Sequence, residues 1–155
     1  MATNPAGMAL VGDRVDLELE LFNPNREYSV QGAPTPVGFP LNPGTVKSDN
    51  SLFPVPTLGW NHKLDNNQSI GLTVYGNVGM NTGYPSFSSK TCPPGGSGTF
   101  CAGSTGIDLE QVFISPSYAH SFENNRFSLG IAPIFAVQAF KAYGLDAFQG
   151  FPAIQ

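Results

Sequence analysis

Residues 68–84 read QSIGLTVYGNVGMNTGY, and the reading of this stretch decides the fold. Its first half alternates: Ile70, Leu72 and Val74 point to one side of an extended chain, Gly71, Thr73 and Tyr75 to the other. A period of two predicts a β-strand with unlike faces. The pattern breaks at Gly76-Asn77-Val78-Gly79. Two glycines three apart inside a strand predict a bulge, a bend or a close backbone approach, with some pairing lost in mid-span. In a soluble sheet that is a local irregularity. In the wall of a membrane barrel it is a side opening, because backbone groups in lipid must find another partner.

Working outward, the same alternation recurs on both sides. Val15, Leu17, Leu19 and Leu21 alternate with Asp16, Glu18, Glu20 and Phe22, setting three acids on one face. Either an antiparallel sheet with one wet face or a barrel strand between lipid and a polar lumen accounts for it. A second strand is expected at about 52–64, with Leu58 and Trp60 opposed to Thr57, Gly59 and Asn61. Pro54 and Pro56 stand near its start, where proline does least harm. Asp65-Asn66-Asn67 then makes a tight turn into the strand at 68–84. Further strands are expected at about 107–122 and 127–143, joined by Glu123-Asn124-Asn125-Arg126. Pro116 and Pro133 resist this assignment, since each removes a ladder donor.

Composition agrees with strands. Only 12% of residues are charged, against roughly 25% in soluble domains. Hydrophobic residues make up 41%, yet no run approaches the roughly 18 apolar residues of a membrane helix. The net charge of −4 and pI near 4.9 argue against nucleic acid as a partner. Residues 33–50 and 85–106 are long loops rich in proline and glycine, whereas the two turns between them are short. Long loops alternating with short turns are the habit of outer-membrane barrels. The long loops are expected to face the medium and the turns the periplasm. Trp60, Phe122 and Phe127 fall near the short-turn end, where an aromatic girdle would sit.

Chemistry-bearing residues are sparse. His62 and His120 stand apart with no metal-ligand spacing, and read as interface histidines on strands. The spacing of Asp16, Glu18 and Glu20 is that of any polar strand face, so no acid–base role is assigned. No nucleophile elbow, phosphate loop or calcium loop occurs. The chain is expected to be no enzyme and to need no metal or cofactor. Cys92 and Cys101 enclose PPGGSGTF in the second long loop. A lone cysteine pair in an oxidising compartment predicts a disulfide, contributing about 2–3 kcal/mol in the chain-entropy model.

In order along the chain, NPAGMALVGDR, the first alternating strand ending in an Asn-Pro, SDNSLFPVPTLGW, the bent GLTVYGNVGMNTGY and GIDLEQVFISPSYAHSFENNRFSLGIAPIFAV resemble the FadL family. These are bacterial outer-membrane channels for long-chain fatty acids and other hydrophobic molecules. The likeness runs from Asn4 to about Leu145. Its most specific parts are Asn4-Pro5-Ala6 and the bend from Gly76 to Thr82.

The resemblance implies an antiparallel transmembrane β-barrel of about fourteen strands with an N-terminal plug inside it. Asn4, Pro5 and Ala6 would close the plug, so residues 1–13 are expected to be its end. Residues 14–145 would supply about five barrel strands, and 146–155 the start of the next loop. Five strands are too few to close a barrel, the smallest having about eight, so the chain is expected to be a fragment completed by the rest of its own barrel. Outer-membrane lipid would surround it in the bacterial outer membrane. The kink at Gly76, Asn77, Val78 and Gly79 would open a lateral exit for the cargo.

Apolar side chains facing the lumen by this register are Phe22, Tyr75, Phe113, Ile134 and Phe140. They line a cargo pocket or simply pack against plug and neighbouring strands. Lys141 either meets a fatty-acid carboxylate or snorkels at a strand end. The competing reading of the whole chain is a secreted β-sandwich that serves as a binding or adhesion module.

Overall fold

The structure, a computed structural model, describes residues 3–33, 41–122 and 126–149. Strands hold 56% of the described residues and helices 7%, so the fold is all-β. The strands are β1 (Arg14–Phe22), β2 (Glu27–Val30), β3 (Gly44–Lys47), β4 (Phe53–Lys63), β5 (Gln68–Tyr84), β6 (Thr105–Phe122), β7 (Phe127–Ile131) and β8 (Phe135–Tyr143). Six of them form one sheet ordered β1-β4-β5-β6-β7, with β8 also paired to β6. Among the described residues this sheet is open, and no closed barrel is formed.

The chain divides into two compact units. One comprises Met1–Leu21, Pro54–Gly79 and Glu110–Gln138; the other comprises Phe22–Phe53, Met80–Leu109 and Ala139–Gln155.

In the first unit a 3-10 turn, Pro5–Gly7, leads into a single-turn helix α1, Met8–Val11. Pro5 suits the first helical position because its missing N–H would have no partner there anyway. The helix stops at Gly12, whose φ of 75° is a backbone state that side-chain-bearing residues avoid. β4 and β5 pair antiparallel from Thr57↔Tyr75 to Lys63↔Ser69. The turn joining them is built by Asp65, whose carboxylate accepts the Asn67 N–H at 2.7 Å and the Gln68 N–H at 2.8 Å. Those bonds, Asn67's first, hold the Asp65 carboxyl below the usual carboxylate range despite some loss of solvation. The expected turn at Glu123-Asn124-Asn125 lies outside the described residues.

The single strand expected at 127–143 is two strands. β6 and β7 pair from Phe122↔Phe127 to Tyr118↔Ile131. Two residues further, the same register would set Pro133 against Pro116, and β7 ends before that rung. Neither proline has an N–H, so no ladder bond forms between them. The Ser115 hydroxyl instead donates to the Pro133 carbonyl at 3.1 Å.

In the second unit the first long loop is also more ordered than expected. Its residues Gly44–Lys47 pair with Glu27–Val30 as a small antiparallel sheet, from Glu27↔Lys47 to Val30↔Gly44. Glu27–Val30 alternates exposed and half-buried residues, though over only four positions. The expected disulfide is present, Cys92 to Cys101, with Cα atoms 5.3 Å apart.

Burial runs opposite to that of a soluble sheet. Among the described residues the buried apolar side chains are only Met8, Ala9 and Ala119. Asn61, Ser69, Thr73, Ser115, Ser117 and Ser121 are buried, whereas Val15, Leu17, Leu19, Leu21, Leu129, Ile131 and Val137 are exposed. Leu17 is 80% exposed and Ser69 0%. Single exposed leucines mean little, but buried polar side chains together with a broad exposed apolar face are informative.

Candidate functional site

Two places in the molecule are built with enough specificity to act on something. The first, in the first unit, is the seat of the N-terminal segment. Ser69, Gly71 and Thr73 of β5 alternate onto the same face as Gly59 and Asn61 of β4, since the register sets Asn61 opposite Gly71. Small residues there let another backbone come close. A β-carbon on Gly71 would lie 2.4 Å from Cε of Met8 and 2.7 Å from the Trp60 carbonyl oxygen. On Gly130 of β7 it would lie 2.4 Å from the Ala6 nitrogen and 2.5 Å from the Pro5 carbonyl carbon. Both glycines therefore serve close approach.

Polar bonds fix the segment in place. The Asn61 side-chain NH2 donates to the carbonyls of Met8, at 3.1 Å, and Gly12, at 2.7 Å. The Asp13 carboxylate accepts the Lys63 N–H at 2.6 Å and lies 3.3 Å from Nδ1 of His62. Beneath, Oδ1 of Asn61 and the hydroxyls of Ser69 and Thr73 are buried without a protein partner. Of the triplet Asn4, Pro5 and Ala6, Pro5 and Ala6 thus lie against Gly130.

At the position of the expected bend, β5 runs as strand without interruption through Gly76–Gly79. A β-carbon on Gly76 would lie 2.7 Å from Cγ1 of Val55, whereas one on Gly79 would meet nothing within 4 Å. The side chain of Val78 lies outside the described residues. Asn77 donates to Gln111 at 3.1 Å, while Asn81, four residues on, donates to Asp108, only three residues back along β6.

Of the expected pocket residues, Tyr75 and Phe113 meet edge to face with ring centroids 5.6 Å apart. Phe22, Ile134 and Phe140 are exposed and do not join them. The Lys141 ammonium lies 5.7 Å from the centre of the Tyr143 ring. Trp60 stacks on His62 at 6.1 Å, and Phe122 lies 5.8 Å from Phe127. Asp16 is paired with Arg14. Among the described residues no group of three or more His, Cys, Asp or Glu is arranged to hold a metal ion.

The second place, in the second unit, is a cavity of about 420 Å³ that none of those expected residues lines. Its apolar wall is made by Tyr28, Leu41, Tyr84, Phe100, Ile107 and Leu145. Ser29, Thr82, Thr99 and Thr105 also line the cavity. Tyr28 and Tyr84 meet edge to face at 4.9 Å, and the Tyr28 hydroxyl lies 2.9 Å from Oγ1 of Thr99. Thr105 donates its hydroxyl to the Tyr143 carbonyl at 3.1 Å, leaving the oxygen free to accept. Thr99 and Phe100 belong to the disulfide loop, next to Cys101, whose φ is 63°. No periodic pattern marks these positions, because most come from loops and strand ends.

Set against family models, curated proteins and solved structures, the chain matches none.

Proposed function

We propose that the chain is a wall segment of a FadL-like bacterial outer-membrane β-barrel, admitting long-chain fatty acids or other hydrophobic molecules passively. Cargo leaves sideways through the wall where β5 is bent. The N-terminal segment, ending its 3-10 turn and helix on Gly71 and Gly130, is the end of the plug.

The observation that carries this reading is the inverted burial. Serine, threonine, asparagine and glycine occupy the covered face of the sheet, while leucine, isoleucine, valine and phenylalanine stand out from the other. A β-sandwich buries its large apolar side chains between two sheets; a membrane barrel turns them to lipid. The proposal of a bend draws on the open space around Gly79.

Trp60 makes the test clean, since it is the chain's one tryptophan and lies exposed on β4. Reconstituted in phospholipid vesicles, Trp60 should emit at short wavelength and be quenched by lipids brominated on their acyl chains. A monodisperse, cooperatively melting monomer in plain buffer, with Trp60 unquenched by such vesicles, overturns the proposal in favour of the secreted module.

A further inference from the structure

We infer that the 420 Å³ cavity of the second unit is a binding site for a neutral, ring-sized apolar molecule carrying one hydrogen-bond acceptor, such as a phenol, and that it rejects carboxylates. The inference rests on the proposed transport role only in calling that molecule cargo; the binding itself stands apart.

Its volume falls within the range of small-molecule sites, which are mostly apolar with a few placed polar groups. Among the described residues that line it there is no lysine, arginine or histidine, and no acid. A carboxylate brought there would lose its hydration without gaining a counter-charge, which is strongly unfavourable. A neutral ring would lose little. The aromatic edges of Tyr28 and Tyr84 suit a flat apolar guest.

The hydroxyls supply the acceptor specificity. Tyr28 and Thr99 lie 2.9 Å apart and carry two hydroxyl hydrogens, of which one bridges them. The other remains for a guest oxygen. The Thr105 oxygen, its hydrogen already given to Tyr143, can in turn accept a guest hydroxyl. A phenol fits both offers, donating one hydrogen and accepting another.

The probes are 1-naphthol and 1-naphthoate, matched in size and differing in charge at neutral pH. Binding is measured by equilibrium dialysis against the chain held in lipid nanodiscs, with empty nanodiscs subtracted. Naphthol should bind at least about tenfold more tightly than naphthoate. Tyr28→Phe, which keeps the ring, and Thr99→Val should each weaken naphthol by about fivefold, the worth of one hydrogen bond. Lys141→Ala should leave it unchanged. Naphthoate binding as tightly as naphthol, naphthoate binding that Lys141→Ala abolishes, or no naphthol binding above empty nanodiscs overturns the inference. Trp60 quenching on the same samples reports membrane insertion. Insertion without naphthol selectivity sinks this inference alone, and naphthol selectivity without insertion sinks the transport reading alone.

Discussion

The seat of the N-terminal segment and the cavity of the second unit solve one problem in two ways. In both, the sheet gives up side chains and something else takes the space. At Gly71 and Gly130 the occupant is the chain's own N-terminal segment, including main-chain atoms of Pro5 and Ala6. At Gly83 a β-carbon would lie 2.8 Å from Nδ2 of Asn50, and at Gly106 2.0 Å from the Thr82 carbonyl oxygen, with the Tyr143 hydroxyl at 3.0 and 2.5 Å. The N-terminal occupant is held by fixed bonds such as those from Asn61, whereas Gly106 lines an open cavity. The difference teaches that glycine in a sheet face does not define a site until its occupant is known.

The largest effect is expected where that comparison is broken on the seat side. Gly130→Val would drive two methyl groups toward the Pro5–Ala6 backbone, and overpacking of this kind costs about 3 kcal/mol. Amide hydrogen exchange at Gly7 to Val11 should accelerate about a hundredfold, while naphthol binding stays unchanged. Unchanged exchange would mean that Gly130 is not a seat.

The reciprocal break removes the disulfide. Cys92→Ser together with Cys101→Ser should loosen the wall that carries Thr99 and Phe100, a loss of about 2–3 kcal/mol in local stability. Naphthol binding should fall severalfold, and exchange at Gly7 to Val11 should not change. Full retention of binding would detach the loop from the site.

Asn61→Ala sharpens the seat further by deleting two hydrogen bonds to the segment's carbonyls. It also removes the buried Oδ1 that has no protein partner, so the net loss should be only about 1–2 kcal/mol. Exchange at the same amides should rise less than in Gly130→Val, and equal or greater acceleration would refute this order of effects.

The smallest effect is set by pH. The Asp65 carboxyl titrates below its ordinary value in the folded chain, so its contribution is present above the unfolded value and lost as pH falls through the folded one. Acidification below the normal carboxylate range should speed exchange at Asn67 and Gln68, with Asp65→Asn flattening that dependence. Neither region of the comparison should respond first.

The strands were legible because a period of two needs only neighbouring residues. β5 was expected at 68–84 and spans Gln68–Tyr84, and the disulfide followed from a lone cysteine pair. The pairing of β2 with β3 was missed, since EYSV alternates over only four residues and GTVK has no regular alternation. Nor was the seat, because a glycine's partner lies far along the chain: Gly130 answers to Ala6 and Gly71 to Met8. The cavity was missed for a similar reason. Its walls are assembled from six separate stretches, and the expected pocket residues were chosen by strand register alone.

Pro116 of β6 and Pro133, between β7 and β8, have a consequence for assembly. β7 and β8 lie on the same side of β6 but are separated by Ala132-Pro133-Ile134, where no strand is formed. Any strand that adds to this outer edge meets five residues of regular template, a gap without a donor at Pro133, and then nine more. Pairing cannot run through in one sweep and must start afresh beyond the gap.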